Sequence, residues 1–204
     1  MRYRAALFRS ALWTGVVLAA LPASAETVEP GAGPQPHSLQ DSHPTEARLF
    51  ATLKDARTEA EGRAAESAIW RHWMAAAPDL ATRQLLERAM ERRESYDFAG
   101  ARSLLDEAIA AAPTYAEAWN QRGFVRFLQD DFDGALADVD QAIQLEPRHF
   151  AAMSGRAIIL MRQGRFGLAQ NQLRAAVAIH PFLKERSMIV PEPARSPRPP
   201  GVDL

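Results

Sequence analysis

The sequence predicts an all-α solenoid of stacked helical hairpins, and three observations carry that prediction. Pro113, Pro147 and Pro181 stand 34 residues apart. Between them, residues repeat in phase: Leu85/Trp119/Met153, Ala89/Gly123/Ala157, Phe98/Phe132/Phe166, Ala101/Ala135/Ala169, Leu105/Val139/Leu173 and Ala108/Ala142/Ala176. Inside each period the apolar positions recur every three or four residues, the spacing of one helical face. A helix-turn-helix unit of this length cannot bury its apolar face alone, so it must stack on a neighbour.

Each element follows from this register. In the second repeat, Trp119, Gly123 and Phe127 share one side of a first helix, and Phe132, Ala135, Val139 and Ala142 share one side of a second. The small residues Ala89, Gly123 and Ala157 fall where the helices of a hairpin cross, because bulk there would hold the axes apart. Asp97 and Asp131 precede the second helices, placed to accept their free amide hydrogens. The three prolines close each second helix or open the next unit.

The repeats therefore span about 82–115, 116–149 and 150–181, within a region of 79–181. Upstream, 45–78 predicts another helical pair, with Leu49, Phe50, Leu53 and Ala56 on one helix and Ile69, Trp70, Trp73 and Met74 on the next. Pro78 precedes Pro113 by 35 residues, which suggests a degenerate repeat capping the open end of the array. The two tryptophans are expected to pack as core. Downstream, 182–190 is expected to form a short capping helix through Phe182, Leu183, Met188 and Ile189.

The chain ends read differently. Arg2, Arg4 and Arg9 precede an apolar run from Ala11 to Leu21 and the small residues Ala23-Ser24-Ala25, the pattern of a secretory signal peptide over 1–25 cleaved after Ala25. The expected location is the periplasm or the exterior, with no stable membrane anchor after cleavage. Residues 26–44 are rich in Pro, Gly, Gln and Ser and predict a flexible linker. Residues 191–204, with Pro191, Pro193, Pro197, Pro199 and Pro200, predict a disordered, extended tail.

Composition narrows the function. The chain has 24 basic and 25 acidic residues, and the expected signal removes three basic ones, leaving 21 against 25. A modest acidic excess argues against a nucleic-acid partner, which requires a clustered positive surface. There is no cysteine, so the fold rests on its apolar core, without disulfides, thiol chemistry or thiolate metal sites.

The in-phase pattern of aromatic, small, aromatic, alanine, apolar, alanine and proline from about Thr82 to Pro181 resembles the tetratricopeptide repeat (TPR) family. The resemblance implies a right-handed superhelix whose first helices line a concave groove for peptides or partner helices. Arg92 and Arg126 depart from the family, standing where a large apolar or tyrosine residue is usual, while Leu160 conforms. The plan of signal, atypical pair, three repeats and tail, and the stretch Leu145-Glu146-Pro147-Arg148-His149-Phe150, resemble small exported tetratricopeptide proteins of alphaproteobacteria.

Extending the helical phase places Arg83, Leu86, Met90, Arg93, Asn120, Phe124, Phe127, Ser154, Ile158 and Met161 on the concave side. The expected surface is mainly apolar and suited to an amphipathic helix or an extended apolar segment of a protein partner. Chaperone-binding relatives grip a terminal carboxylate with lysine and asparagine pairs, but Leu86/Met90 and Ser154/Ile158 occupy the matching places, so that clamp is absent. A second candidate is the ladder Arg88, Arg122 and Arg156, either a positive stripe for an acidic partner or a set of ion pairs with nearby acids such as Glu87 or Asp138.

Chemistry is sparse. No nucleophile elbow, phosphate loop, dinucleotide fingerprint or paired-histidine motif occurs, and His37, His43, His72, His149 and His180 are scattered. Gln129, Asp131, Asp133, Gly134 and Asp140 approach the order of a calcium loop, yet the repeat requires a helix from Phe132, where calcium ligation requires a loop. The reading is a non-enzymatic scaffold without cofactor or metal, with an adaptor role in envelope assembly as the expectation. The alternative is a metal-dependent sensor or an enzyme with a site built from scattered residues; self-association through apolar surface at the carboxyl end is a further expectation.

Overall fold

A computed structural model describes residues 42–191. The expected signal peptide at 1–25, the linker up to residue 41 and the tail beyond Pro191 lie outside the described residues. The helices are α1 (Ser42–Asp55), α2 (Glu59–Ala75), α3 (Leu80–Glu94), α4 (Phe98–Ala111), α5 (Ala116–Leu128), α6 (Phe132–Leu145), α7 (Phe150–Arg162) and α8 (Phe166–Ile179). A short 3-10 helix follows at Lys184–Met188. Helix α1 begins inside the segment expected to be linker.

Helices α3/α4, α5/α6 and α7/α8 form three hairpins stacked in chain order. The crossing residues explain their closeness. A Cβ added at Gly123 would stand 2.9 Å from Val139 Cγ1 and 3.2 Å from the Ala135 carbonyl oxygen, so only glycine lets α5 lie this near α6. Ala89 and Ala157 fill the in-phase positions and are buried. One core, around Leu86, Leu105, Ile109 and Val125, joins the first hairpin to α5, and another, around Val139, Ala142 and Ile159, joins the second to the third.

The turns are built on a common plan. Asp97 N–H donates to the Arg92 carbonyl, Asp131 N–H to Arg126 and Arg165 N–H to Leu160, at 2.9, 3.0 and 2.8 Å. These bonds close the ends of α3, α5 and α7 by reaching back across a left-handed residue. Asp97 and Asp131 then accept the Gly100 and Gly134 amide hydrogens at 2.9 and 3.0 Å, capping α4 and α6. Arg165 makes no side-chain cap for α8.

The N-terminal pair does not stack in front of α3 as a degenerate repeat or end cap. It packs against the third hairpin. Phe50 and Leu53 of α1 and Ala65, Ile69 and Trp73 of α2 share a core with Phe150, Met153, Ala176 and Leu183. The reason lies on α3, whose outward residues Arg83, Gln84, Glu87, Arg88 and Glu91 are exposed and polar, leaving no apolar stripe to receive a stacked unit.

Helix α2 instead crosses the turns that follow each repeat. Tyr115, His149 and Leu183, again 34 apart, are all buried. The Tyr115 hydroxyl donates to the Met74 carbonyl at 3.5 Å, the Trp73 ring stacks on His149 at 4.1 Å, and Gly62 sits so close to Phe182 that any Cβ would overlap its ring. The twelve helical steps from Gly62 to Met74 span about 18 Å at 1.5 Å per residue. That length covers two steps between helices about 8–10 Å apart.

The carboxyl end is corrected as well. The expected short helix over 182–190 is a 3-10 turn confined to Lys184–Met188, and Met188, expected to cover the last repeat, is exposed. Phe182 and Leu183 turn toward α2 and its core. The segment covers α8 mainly through its backbone: Gln170 Nε2 donates to the Met188 carbonyl at 3.0 Å, and Gln170 Oε1 accepts from Val190 N–H at 2.8 Å.

Candidate partner-binding groove

The first helices of the repeats carry the expected groove residues, and a cavity of about 330 Å³ opens between α5 and α7. Asn120, Phe124 and Phe127 of α5 line it with Ser154 and Ile158 of α7 and Arg93 from α3. These six were expected there, and the helical period is why they meet. Gly123, Gly155 and Ala151 lie among the lining residues, so their small side chains leave depth. Phe124 is 45% exposed, a large apolar ring facing solvent.

Four expected residues lie elsewhere. Leu86 is fully buried in the core between the first two hairpins; its phase points it at α4 and α5 once the hairpin closes. Arg83 is exposed and pairs with Glu87 at 3.4 Å. Met90 and Met161 are half-buried and are not among the cavity's lining residues.

Two residues from outside the three repeats also line the cavity. Trp70 of α2 and Glu185 of the 3-10 turn both border it. They arrive because α2 is docked across the turns, a placement that no in-phase position reports. Of the two tryptophans expected in the core, Trp73 is buried and Trp70 is only half-buried.

Behind the cavity runs a chain of buried polar groups. Arg93 Nη1 donates to Gln121 Oε1. Gln121 Nε2 donates to Glu117 Oε1 at 2.6 Å, and Asn120 Nδ2 to the same oxygen at 3.2 Å. The other carboxylate oxygen of Glu117 lies 3.0 Å from His149 Nε2. Since His149 Nδ1 accepts the Ala152 amide hydrogen at 3.2 Å, the neutral ring carries its proton on Nε2 and donates it to Glu117. Trp73 covers the ring face. Each member satisfies the next, which is what permits polar groups at this depth. Neither Glu117 nor His149 belongs to an in-phase triple of polar residues, so the repeat pattern gave no signal for them.

The arginine ladder is not a free stripe. Arg122 binds Asp138 through two donors at 2.9 and 2.7 Å and Asp106 at 2.7 Å, while its carbon lies 4.8 Å from the centre of the Trp119 ring. Burial opposes its charge, but the bonds to Asp138 and Asp106 win and raise its pKa. Arg156 binds Asp140 at 2.5 Å and Gln172 at 3.0 Å. Arg88 is exposed. The departure at Arg126 is accommodated in the same way, by Asp138 at 3.0 Å and the Gly134 carbonyl at 3.1 Å.

Asp131 of the calcium-like run is occupied as the α6 cap. Among the described residues, no group of three or more His, Cys, Asp or Glu side chains is arranged to hold a metal ion, and no helix is long and apolar enough to cross a membrane.

Comparison with known proteins gives a consistent fold. The tetratricopeptide repeat family profile matches residues 126–184. The first TPR domain of Spaghetti (RPAP3) bound to the HSP90 peptide SRMEEVD superposes with a TM-score of 0.52 at 17% identity, covering 53% of this chain and 86% of that one. The TPR2B domain of yeast Sti1, in complex with pHsp70, gives 0.51 at 20% identity, covering 54% and 91%. The Arabidopsis OM64 TPR domain gives 0.52 at 18% identity, covering 53% and 90%. No curated protein sequence matches this chain.

Proposed function

We propose that the chain, whose hairpins have the fold of tetratricopeptide repeats, is a non-enzymatic scaffold that binds a segment of another protein in its concave groove. The observation that carries this reading is the open, mainly apolar cavity between α5 and α7, with Phe124 half-exposed at its mouth. Large apolar rings on a monomer surface are ordinary singly, but one set beside a cavity of this volume marks a contact site. An amphipathic helix or an extended apolar segment matches such a surface. The carboxylate clamp of chaperone-binding relatives has no counterpart at Leu86, Met90, Ser154 and Ile158.

The proposal puts the scaffold in the periplasm, as an adaptor in envelope assembly; the signal-peptide pattern of residues 1–25 supports the export. Mature protein is then expected to begin at Glu26, and N-terminal sequencing that returned Met1 would remove export from the proposal. For the groove, Phe124→Glu with Ile158→Glu puts two carboxylates into the contact surface. Hot-spot anchors contribute about 2 kcal/mol or more each, so partners crosslinked from a photoreactive residue at Asn120 should disappear while helix content and melting hold. A folded double variant that keeps every crosslinked partner would overturn the groove.

A further inference from the structure

Three arginines near the groove are equally withdrawn from solvent: the side chains of Arg93, Arg122 and Arg126 are 16%, 13% and 16% exposed. Arg122 and Arg126 both rest on the Asp138 carboxylate, at 2.7 and 3.0 Å. Arg93 does not have such a partner. Its hydrogen bond goes to the neutral amide of Gln121, and the Glu94 carboxylate, on an exposed side chain, is 4.0 Å away. Glu117 is one side chain further off, with its oxygens held by Asn120, Gln121 and His149. A guanidinium taken out of water without a close anion is costly, and its planar fork has donors to spare. This one borders the cavity, its carbon 5.1 Å from the centre of the Phe124 ring.

The cavity beside it has room to spare. A Cβ built on Gly155 would meet nothing closer than Val139 Cγ1 at 4.0 Å. Space for a side chain therefore exists at this wall, in contrast to Gly123, where packing already fills it.

We propose that the cavity takes one bulky apolar side chain of the partner segment, and that a carboxylate next to it on the same segment binds Arg93 above the Phe124 ring. This rests on the groove reading and names the chemistry the groove selects. Charge complementarity decides the occupant: the cavity is mainly apolar and Arg93 is the one cation among its lining residues. Glu185, also on the border, disfavours further carboxylates and so limits the preference to one acidic position. Arg93 lies outside the clamp positions of the chaperone-binding relatives, so the feature belongs to this chain's own packing.

The test is selection of a displayed library of random twelve-residue peptides on the full-length protein, on Arg93→Gln and on Gly155→Leu. Gly155→Leu fills the space from within, and leucine is the better helix former, so this variant should melt no lower than the parent. The parent should enrich peptides that pair Phe, Trp or Leu with Asp or Glu at one fixed spacing. Arg93→Gln should keep the apolar preference, lose the acidic one and bind the parent's peptides about tenfold more weakly, the worth of one charge-assisted bond. Gly155→Leu should enrich neither.

Apolar peptides without an acid from the parent would overturn the role of Arg93 and leave the groove standing. The same peptides enriched on Gly155→Leu would overturn the groove and this inference with it, as would a parent that enriches nothing. Should Gly155→Leu prove unstable, Phe124→Glu blocks the same cavity from its exposed mouth and is read the same way.

Discussion

The three repeats and the N-terminal hairpin are built from the same kind of helices but are held by different means. Each repeat closes through small residues in phase, Ala89, Gly123 and Ala157, which let its two helices approach. The N-terminal hairpin docks through large ones: Phe50, Ile69 and Trp73 against Phe150, Met153 and Leu183. Its rim is ionic, with Glu46 on Arg148 at 2.5 Å, Glu59 on Arg186 at 2.6 Å and Glu66 3.4 Å from His180. The contrast teaches that a shared period fixes where a unit stacks, while an aperiodic pair goes wherever matching apolar area is left uncovered.

The comparison is broken most sharply by deleting one anchor from each side. Trp73 is buried against His149, Phe50 and Phe150, so Trp73→Ala should cost about 3–5 kcal/mol. The loss should be local, with hydrogen-exchange protection falling in α1 and α2 while α3 to α6 keep theirs. Uniform loss across all helices would mean that the hairpin and the array form one cooperative unit. Gly123→Leu attacks the repeat side at its hairpin crossing, forcing a side chain against Val139 and the Ala135 carbonyl. Overpacking of this kind costs about 1–3 kcal/mol, read as a lower urea midpoint; an unchanged midpoint would sink the close-crossing account.

This asymmetry also explains what could be read from the sequence. The helix starts at Phe98, Phe132 and Phe166 and the close crossing at Gly123 follow from phase, because stacking repeats its own chemistry. The placement of α1 and α2 does not, since Trp73 and His149 are unlike any in-phase partner and their meeting depends on a long-range docking. Six groove residues were legible because helical spacing sets which face they share. Leu86 was misplaced because phase alone does not tell a concave face from the face that the next helix covers. Trp70 and Glu185 were missed for the reason the hairpin was.

Acid should loosen the docked side before the stacked one. His180 is buried between Phe150, 4.7 Å away edge-on, and Glu66 of α2, and its Nδ1 accepts the Phe182 amide hydrogen. Burial lowers its pKa, and Glu66 and Glu185 offset this only in part, against Arg186. With the folded value below the unfolded one, the unfolded chain binds more protons as the pH drops. The contribution of His180 is therefore full above about 6.5, the unfolded value, and declines as pH falls through it. Glu146 runs the other way, since burial and the nearby Glu46 raise its pKa while the Arg148 amide and charge offset this in part; its effect lies at lower pH, where protonation favours the fold. Melting should thus fall between pH 7.5 and 5.5, and His180→Gln should flatten that slope. Parallel slopes for the two proteins would remove His180 from the account.

The smallest effect expected sharpens the stacked side, where repeats are in phase but not identical. Tyr96, Asp130 and Gly164 occupy the same turn position and have φ values of 62°, 59° and 74°. The left-handed conformation is free for glycine and costs an L-residue about 1 kcal/mol or more, with aspartate more tolerant than tyrosine. Tyr96 offers little in return: its side chain is exposed and its ring leans on Phe98 with centres 6.1 Å apart. Tyr96→Gly should therefore stabilise, by about 0.5 kcal/mol once the greater freedom of glycine in the unfolded chain is set against the relief. Asp130→Gly should give less, since it also removes a carboxylate 3.8 Å from Arg162. Gly164→Tyr should lose about 1–2 kcal/mol, because no Cβ contact forbids it and only the backbone objects. Urea midpoints for the three variants check the order, and a Tyr96→Gly protein weaker than its parent would mean that the Tyr96–Phe98 contact outweighs the strain of the turn.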